Sequence, residues 1–417
     1  MKKQVEHHQI LIVGGGTGGI MTASTLKRKD PSLDIAIIEP SKDHYYQPAW
    51  TLVGAGTYNY EDTRRSEASV IPVGTKWIKD KAIGFDPDNN EVETEKNGSV
   101  SYDILVVAPG LVYDFSLIEG LNEAFEKGVV CSNYVDPRYT WNCLQKFKGG
   151  NAVFTQPGTP IKCGGAPQKI MYLAADYFKK NNLFDKTHII FATPGSVIFG
   201  VKEIAATLQK VLKRDKINFN PFHTPFKIDA DRRIAYFELA GGGSFSDDIP
   251  GASLDEKTVS IPFELLHLAP PQTAPKCIQK STLANEAGWL DVDDFNLQHK
   301  KYDNIFGVGD VNGIPAAKTG AATRKQAYVV IDNVLKVLRG DTASNNSYDG
   351  YSSCPLVTGY GKMVLAEFNY KNEFTPDPNL KKMLVFDSSK EHWRLWLLKK
   401  YGLPYMYWRK MLRGEII

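Results

Sequence analysis

The sequence predicts an α/β fold with two tandem Rossmann-like dinucleotide-binding domains, followed by a C-terminal amphipathic segment. The first observation behind this prediction is a buried strand, a glycine turn and a helix start over residues 9–23. The second is another apolar strand near mid-chain, over residues 187–193. The third is a stretch of interleaved aromatic and basic residues over residues 391–413. A chain of 417 residues is long enough for two or three domains of ordinary size.

The glycine turn carries the pattern G-x-G-x-x-G, formed by Gly14, Gly16 and Gly19. The first glycine allows a sharp turn off the strand, the second allows backbone N–H groups to approach a pyrophosphate, and the third allows the helix to pack against the strand. The next apolar run, residues 35–38, ends at Glu39, whose carboxylate suits a ribose hydroxyl. We therefore predict that a dinucleotide binds here with its phosphates at the helix N-terminus. The alternative is a glycine-rich turn between ordinary elements.

Three later segments complete the pattern of a flavin-binding domain. Residues 102–110 form a strand that closes on a small-residue turn, residues 304–310 form a strand that ends in an acid, and residues 316–322 can open a helix close to a ligand. Asp310 can accept a hydrogen bond from the ribityl chain of FAD, and Lys318 near the isoalloxazine would favour the reduced, anionic flavin. The alternatives are a helix cap for the acid and a solvated surface lysine. The sequence predicts FAD, held in these segments by Ala108, Gly110, Gly309, Asp310, Lys318 and Thr319.

The mid-chain strand is not followed by the same glycine pattern. Residues 187–193 run into Pro194, Gly195 and Gly200, and these two glycines do not fit the G-x-G-x-x-G spacing. Pro194 also removes a backbone N–H that a phosphate cradle would use. We therefore predict a second Rossmann-like fold that has lost dinucleotide binding, which argues against a pyridine nucleotide as the electron donor.

The order of these segments resembles that of the two-dinucleotide-binding-domain flavoproteins of the disulfide reductase superfamily. Three longer motifs resemble the sulfide:quinone oxidoreductases within it, particularly those of mitochondria: YYQPAWTLVGAG (45–56), KCGGAPQKIMY (162–172) and YDGYSSCPLVTGY (348–360). The likeness covers nearly the whole chain. It implies an enzyme that oxidises hydrogen sulfide to sulfane sulfur through a redox-active cysteine pair and passes electrons via FAD to a membrane quinone. A thiol, sulfite or further sulfide would accept the sulfur as persulfide or polysulfide.

Two of the five cysteines lie in these motifs. Cys163 lies in a strand-to-helix turn between Lys162 and Lys169, where the basic neighbours and the helix N-terminus favour its thiolate. Cys354 lies in a stretch that glycine and proline mark as a loop. From the residues alone, each is more readily an inert buried thiol than a redox centre. The resemblance implies that the two form the redox-active pair beside the flavin.

The other three cysteines divide into one candidate and two structural residues. Some bacterial members of the family carry a third cysteine before the first of the pair, and Cys131 lies where that one would. We therefore add Cys131 and Lys318 to the pair as candidate catalytic residues. Cys143 and Cys277 have no motif context, and we expect both to be structural.

The C-terminal stretch 391–413 combines Trp and Tyr with Lys and Arg, a composition that suits a helix lying in a lipid interface. Gly402 and Pro404 are expected to break it into two short helices. The alternative is an amphipathic helix packed on the protein's own core or on a twin subunit. By resemblance, the quinone enters between this segment and the flavin, with Phe368 and Tyr407 as wall residues.

Whole-chain features limit the location and the partners. The formal net charge of +3 gives no argument for nucleic acid, and the few, widely spaced cysteines argue against a disulfide-stapled secreted fold. No apolar run reaches about 18 residues, so we expect no membrane-spanning helix, and we expect no metal site. We expect a peripheral membrane protein, possible as a homo-oligomer. The N-terminus shows no leader, which favours the cytoplasmic side of a bacterial inner membrane, or the mitochondrial inner membrane for a processed chain.

The predicted domains are an FAD-binding domain over residues 1–115 and 285–345, a second Rossmann-like domain over residues 116–284, and a C-terminal segment over residues 346–417. Three other functions stay open: a type II NADH:quinone dehydrogenase, a cytochrome-coupled sulfide dehydrogenase flavoprotein, and a non-catalytic flavoprotein scaffold. The missing second glycine pattern disfavours the first. The second would carry an export signal and no basic aromatic tail, and the third would show no bleaching of the flavin by sulfide.

Overall fold

Two mainly parallel sheets, each flanked by helices, form the core of the structure, a computed structural model that describes residues 5–344 and 348–415. The strands in these ranges are β1 Glu6–Val13, β2 Ile35–Ile38, β3 Asp43–Tyr45, β4 Arg64–Ser66, β5 Thr75–Ile78, β6 Ala82–Asp86, β7 Glu91–Thr94, β8 Gly98–Val107, β9 Val112–Tyr113, β10 Val130–Cys131, β11 Gly150–Thr155, β12 Thr187–Ala192, β13 Ile217–Asn220, β14 His223–Asp229, β15 Ile234–Leu239, β16 Ser253–Asp255, β17 Thr258–Pro262, β18 Leu265–Leu268, β19 Gln272–Thr273, β20 Ile305–Gly307, β21 Ser352–Gly359 and β22 Lys362–Phe368. The α-helices are α1 Thr17–Lys29, α2 Trp50–Val53, α3 Leu121–Glu126, α4 Pro137–Lys146, α5 Ala166–Lys180, α6 Lys202–Arg214, α7 Lys276–Gln279, α8 Gly320–Leu338, α9 Trp393–Leu397 and α10 Leu403–Arg409.

The first sheet brings the predicted cofactor segments to one edge. Its order is β5-β2-β1-β8-β7-β6, and β20 also pairs with β8. Strands β1, β8 and β20 are parallel, and both Val13 of β1 and Gly307 of β20 lie opposite Val107 of β8. The carboxyl ends of these strands therefore meet, and they carry the glycine loop, Ala108 and Asp310. The predicted strands at residues 9–13, 35–38, 102–107 and 304–307 are confirmed in type and place.

The second sheet has the Rossmann-like arrangement that the mid-chain strand predicts. Its five strands run in the order β10-β18-β11-β12-β13, and every pairing is parallel. Helix α5 packs on this sheet, and an antiparallel sheet of order β14-β15-β17-β16 is inserted in the chain between β13 and β18. The two sheets together confirm the predicted α/β class.

The segment around Cys354 differs from the sequence expectation. It forms strand β21, which pairs antiparallel with β22, and not a loop. Glycine and proline suggested a loop, but Pro355 is tolerated because this ribbon has only two strands and leaves one side of each strand free of ladder bonds. The ribbon packs on α5, the helix that follows Cys163, so the two motifs meet through this contact.

The C-terminal stretch does not break in two as expected. Helix α9, the π-helical turn Leu398–Gly402 and α10 follow without interruption. Gly402 keeps a right-handed helical backbone, and Pro404 lies in the first turn of α10, where no intrahelical N–H is required. The π turn takes up the irregularity that proline introduces. In the described ranges, no helix combines the length and the apolar character needed to cross a bilayer.

The predicted domain limits stay predictions. The described chain returns to the first sheet at β20, as the split FAD-binding domain requires. The predicted limit between residues 345 and 346, and the first residues of the first domain, lie outside the described residues.

Candidate active site

The glycine loop holds two backbones in direct contact. Gly14 has a φ of +104°, and a Cβ there would lie 2.3 Å from the Ala108 carbonyl oxygen. A Cβ at Gly19 would lie 1.9 Å from the carbonyl oxygen of Gly14. At Gly16 a Cβ would meet nothing within 4 Å, and this N-cap of α1 makes no side-chain cap. The N-terminus of α1 therefore offers N–H groups and open space, as a pyrophosphate requires.

Glu39 lies at the end of β2 beside this loop. Its carboxylate accepts hydrogen bonds from the backbone N–H groups of Gly15 at 2.7 Å and Ser41 at 2.6 Å. Burial raises the pKa of Glu39. The neighbouring Glu67 is buried, and its Oε1 has no hydrogen-bond partner within the described chain. This unsatisfied acceptor beside the loop suits a ligand that brings hydroxyl donors, such as a ribose.

Lys318 lies in a cleft at the start of α8, together with Asp310. Its Nζ donates to the backbone carbonyls of Asp310 at 2.7 Å and Asn312 at 2.9 Å, and lies 4.0 Å from the centre of the Trp289 ring. Burial lowers the pKa of Lys318 to about 8 and raises the pKa of Asp310. These contacts rule out the solvated surface lysine and leave a cation that titrates close to neutral pH.

The other predicted cofactor residues line the same edge. Gly309 has a φ of +87°, and its N–H donates to Gln326 Oε1 at 2.8 Å. Gly110 has a φ of +72°, with open space where a Cβ would point. Thr319 caps α8, because its hydroxyl accepts from the Ala322 N–H at 3.1 Å. The cap of this helix is therefore Thr319, and the carboxylate of Asp310 is not used for it.

The loop that carries Cys163 is joined to this edge through its backbone. The Cys163 N–H donates to the Lys318 carbonyl at 2.6 Å, and Lys162 forms a parallel bridge with Lys318. The Lys162 Nζ donates to Gln47 Oε1 at 2.6 Å, in the first of the three long motifs. Cys163 itself has a φ of +50°, a left-handed conformation that is rare for this residue type and is concentrated at functional sites.

Cys163 and Cys354 lie in hydrogen-bonding contact as free thiols, next to a buried lysine. Lys169 Nζ lies 3.0 Å from Cys163 Sγ. The hydrogen bond from Cys354 and the charge of Lys169 hold the pKa of Cys163 well below its usual range. The same hydrogen bond, together with burial, raises the pKa of Cys354 well above it. Burial alone would lower the pKa of Lys169, but the negative charge of the neighbouring sulfurs outweighs burial, so the pKa of Lys169 is raised. The pair therefore holds one proton on Cys354 and one negative charge on Cys163.

A second buried lysine, Lys399, comes to this site from the C-terminal segment. It is only 2% exposed, and its Nζ donates to the Pro48 carbonyl at 2.7 Å. Burial and the charge of Lys169 lower the pKa of Lys399 to about 7, against the opposing effect of the two sulfurs. Sequence reasoning assigned this lysine to a lipid-facing surface. No signal in the local sequence distinguishes Lys399 as a buried residue, because the neighbouring Lys400 is surrounded by the same residue types.

Cys131 lies apart from this pair in its contacts. Its thiol donates to the Leu266 carbonyl at 3.5 Å and is in hydrogen-bonding contact with Cys143. The partner of Cys131 is therefore a residue that the sequence suggested to be merely structural. Its predicted catalytic role stays a prediction.

The two predicted quinone-wall residues occupy different surroundings. Phe368 ends β22 and packs edge-on against Phe199, with ring centres 5.8 Å apart. The Tyr407 hydroxyl shares hydrogen bonds with Thr17 Oγ1 at 2.8 Å and His44 Nε2 at 2.6 Å, beside the glycine loop. Tyr407 is thus tied to the nucleotide end of the site, and Phe368 to the strand that pairs with the one carrying Cys354.

Comparisons with known proteins bear on the family and the fold of this chain. Residues 8–142 match the family model described as pyridine nucleotide-disulphide oxidoreductase. The mitochondrial sulfide:quinone oxidoreductase of Mus musculus is 42% identical over 98% of this chain and 87% of its own length. The chain belongs to the sulfide:quinone oxidoreductase family. The mitochondrial enzyme of Dictyostelium discoideum is 40% identical over 98% of this chain and 86% of its own length. The structure of the sulfide:quinone oxidoreductase from Aquifex aeolicus has the same fold, with a TM-score of 0.79 and 21% identity over 99% of this chain and 92% of that one.

Sulfide:quinone oxidoreductases are FAD-dependent flavoproteins, and the residues of this chain fit that cofactor. The uncapped N-terminus of α1, the open space at Gly16 and the unsatisfied Glu67 oxygen meet the needs of a pyrophosphate and a ribose. Asp310 and Lys318 lie where the other end of an extended dinucleotide would end, at the carboxyl edge of the same sheet. FAD is therefore the cofactor of this member of the family.

Proposed function

We propose that this chain oxidises hydrogen sulfide to sulfane sulfur at Cys163 and Cys354 and passes the two electrons to a quinone. The observation that carries the proposal is the contact of these two thiols with Lys169, on a loop bonded to Lys318 at the cofactor edge. When FAD is bound, its isoalloxazine accepts the two electrons and gives them to the quinone. Everything else in the reaction falls to the side chains of the chain.

Cys354 is the sulfur that takes up sulfide in this proposal. In the oxidised enzyme the two cysteines are joined by sulfur, and HS⁻ breaks that bond, forming a new S–S bond on one cysteine and leaving the other as a thiolate. The better leaving group is the sulfur whose pKa is lowered, which is Cys163, because the hydrogen bond from Cys354, and then the charge and hydrogen bond of Lys169, stabilise its thiolate. The persulfide is therefore left on Cys354, and the negative charge on Cys163, next to Lys169.

The two buried lysines have different roles in proton transfer. Lys169 keeps its proton and stabilises the Cys163 thiolate, since the pKa of this lysine is raised. Lys399, whose pKa lies near 7, can take the proton of H₂S at its Nζ as the anion attacks. A thiol, sulfite or a second sulfide would remove the outer sulfur of the persulfide and leave Cys354 as a thiolate. The two cysteines would be rejoined once their two electrons have passed to the bound flavin.

An anaerobic titration tests this function. Sulfide added to the yellow protein should bleach the flavin with two electrons per site, and a soluble quinone analogue should restore the colour. Cys163→Ser and Cys354→Ser should keep FAD and lose the bleaching, whereas Cys277→Ser serves as the matched control and should bleach normally. Normal bleaching in either of the first two variants would rule out the pair.

NADH separates the proposal from the dehydrogenase alternative. A type II NADH:quinone dehydrogenase would bleach with NADH and ignore sulfide. Because Pro194 and the spacing of Gly195 and Gly200 leave no phosphate cradle after β12, we expect NADH to leave the flavin oxidised. Cytochrome c added in place of quinone tests the cytochrome-coupled alternative and should be reduced far more slowly than the quinone analogue.

We propose further that the C-terminal segment docks on a membrane surface. Trp393, Leu397, Tyr401 and Tyr405 are between 41% and 61% exposed, whereas Leu395 and Trp396 anchor the same helix in the core. Leu384 and Phe386 are exposed as well, and Leu380 and Val385 beside them enter the same apolar cluster as Leu395 and Trp396. The basic residues Lys381, Lys382 and Arg409 of the same two segments are exposed as well. Aromatic and basic groups together suit a lipid interface.

Vesicle binding tests the docking surface. Trp393→Ser with Tyr401→Ser should lower the affinity for anionic vesicles by about tenfold or more, since each lost ring removes on the order of 1 kcal/mol of burial. Flavin bleaching by sulfide should not change, because neither ring touches the cysteines. Leu254→Ser, an exposed apolar residue on the antiparallel sheet, is the control and should bind vesicles as the parent does. Equal binding by all three proteins would contradict the docking surface.

A further inference from the structure

Outside the active site, Cys131 and Cys143 form a second pair of thiols in mutual contact. Cys131 ends the edge strand β10 and is 1% exposed, with its thiol directed to the Leu266 carbonyl at 3.5 Å. Cys143 lies in the last part of α4, the helix that packs over this strand, and is half-buried. Cys143 is therefore the partly exposed member of the pair, and Cys131 is the buried one.

The charges around this pair reproduce those of Cys163 and Cys354. The hydrogen bond from Cys131, followed by that from Tyr139 and the charges of Lys146 and Arg233, lowers the pKa of Cys143 to about 7. The hydrogen bond to Cys143, together with burial, raises the pKa of Cys131 well above its usual range. A nucleophilic thiolate thus lies at the surface with a protonated resolving thiol behind it.

Cys277 shows what an unpaired thiol looks like in the same chain. It is half-buried like Cys143, but burial raises its pKa. The hydrogen bond from a second sulfur is what distinguishes Cys143 from Cys277, since Cys277 also has a basic side chain, Lys81, nearby.

We propose that Cys131 and Cys143 form a second redox-active dithiol, which inorganic polysulfide oxidises to a disulfide through a persulfide on Cys143. In the first step the Cys143 thiolate attacks a sulfur of HS–SH, the S–S bond of the polysulfide breaks, and HS⁻ leaves. In the second step Cys131 attacks the Sγ of Cys143 persulfide and gives its proton to the departing HS⁻. Two thiols and one HS–SH thus yield one disulfide and two H₂S, with two electrons passing from the cysteines to the polysulfide sulfur.

The position of the pair supplies it with this oxidant. The chain leaves β10 towards the active site, where the Tyr134 hydroxyl donates to the Lys162 and Cys163 carbonyls at 3.3 and 3.4 Å. Sulfane sulfur released at Cys354 therefore appears close to this strand. The inference rests on the proposed function for the source of the polysulfide alone, and the chemistry of the pair does not depend on it.

Sodium tetrasulfide is the probe that tests the pair directly. The full-length holoenzyme with Cys163→Ser and Cys354→Ser is treated anaerobically, alkylated with iodoacetamide, and mapped by peptide mass spectrometry. We expect a crosslinked peptide pair joining Cys131 to Cys143, which dithiothreitol releases. Cys277 should be recovered in its alkylated form, which shows that tetrasulfide did not oxidise it. Its reaction with tetrasulfide should be at least about tenfold slower than that of Cys143, because a smaller fraction of Cys277 is thiolate.

Two further variants in the same background identify the entry sulfur. With Cys131→Ser added, Cys143 should hold a persulfide that cannot resolve. With Cys143→Ser added, Cys131 should remain an unmodified thiol, because it is buried. If either variant loses FAD, the crosslinked peptide is sought in tetrasulfide-treated wild-type enzyme, which needs no substitution. Alkylation of Cys131 and Cys143 as free thiols to the same extent as Cys277 would overturn the proposal.

The same preparation separates this inference from the proposed function. Flavin bleaching by sulfide is measured on the wild-type holoenzyme, and disulfide formation by tetrasulfide on the variant. Bleaching without the crosslink overturns only the second dithiol. The crosslink without bleaching overturns only the sulfide-oxidising function.

Discussion

Lys169 and the hydrogen bond between the two active-site sulfurs together decide where the charge lies. The hydrogen bond holds the shared proton on Cys354, and Lys169, whose Nζ lies 3.0 Å from Cys163 Sγ and also bonds Cys354, stabilises the negative charge of the pair. A lysine buried without a counter-charge would lose its proton, as Lys399 tends to do near neutral pH. Lys169 has a sulfur partner and Lys399 has a backbone partner, so the two amines have different roles.

We expect Lys169→Met to raise the pKa of Cys163, because the thiolate loses both a neighbouring positive charge and a hydrogen bond. The measurement is the rate of iodoacetamide alkylation of Cys163 against pH, read by peptide mass spectrometry on the reduced enzyme. Lys162→Met is the matched control, since that amine bonds Gln47 and not the thiol. An alkylation profile that Lys169→Met leaves in place would contradict the assignment.

Lys399 gives a stability change with a definite sign. The unfolded lysine titrates near 10.4 and the folded one at about 7, so the unfolded chain binds more protons between these values, and stability rises with pH across that window. Lys399→Met removes a penalty that is complete below pH 7. Its gain in Tm should therefore be largest at about pH 6 and smaller at about pH 9, measured by flavin fluorescence on heating. Lys400→Met should give no such dependence, and an equal gain at both pH values for Lys399→Met would count against the burial argument.

Helix α10 acts as a brace on the nucleotide loop. Its Tyr407 bonds Thr17, the first residue of α1, and His44, whose Nδ1 lies 3.1 Å from the Gly15 carbonyl. The ring also packs on Tyr46, with ring centres 4.6 Å apart. The C-terminal segment therefore reaches both ends of the site, through Tyr407 at the nucleotide loop and through Lys399 at the thiols.

Removing the Tyr407 hydroxyl should weaken FAD binding. Tyr407→Phe keeps the ring packing and leaves His44 and Thr17 without this partner, which costs about 1–2 kcal/mol at a buried site and loosens the loop. We expect FAD to dissociate several-fold faster, measured by the rise of free flavin fluorescence after dilution. Tyr405→Phe is the control, because Tyr405 lies two residues away in the same helix and is 60% exposed. If the two variants release FAD at the same rate, the brace has no effect on the cofactor.

The assembled molecule draws its active site from every part of the chain. The glycine loop, the Cys163 loop, the start of α8, β21 and the C-terminal segment meet at one place, although they are distant in sequence. A cofactor bound by several of these segments stabilises the folded state, because it binds the folded chain and not the unfolded one.

Loss of FAD should therefore destabilise the whole enzyme. At a free FAD concentration about a hundredfold above its Kd the stabilisation is about 2.7 kcal/mol. We expect deflavinated protein to unfold at a lower Tm, and added FAD to restore the parent value in calorimetry. FMN, which lacks the adenylate that the glycine loop would hold, is the control and should restore less. Equal Tm values with and without FAD would contradict a cofactor site built from these segments.

Local sequence patterns predicted the parts of the fold that depend on short-range physics. Gly14 must be glycine because its φ is positive and a backbone carbonyl lies against it. The glycine pattern is therefore enough to predict the nucleotide loop. The apolar runs that became β1, β8 and β12 are buried on both faces, which is why they read as unbroken hydrophobic segments. The proline and glycine near Cys354 predict a loop, and this prediction is wrong. The strand that Cys354 occupies forms through pairing with β22, which the local sequence does not show.

The sequence by itself determined the α/β class, the nucleotide loop and the likeness to one flavoprotein family, and through that likeness it predicted the two active-site sulfurs. Tertiary structure alone decided that Lys399 is buried beside them, that Tyr407 braces the glycine loop, and that Cys131 is paired with Cys143. The reason is that a pattern such as G-x-G-x-x-G records constraints between near neighbours. The pKa of a thiol or an amine depends on burial and on charges that arrive from distant segments, and neither exists until the chain has folded.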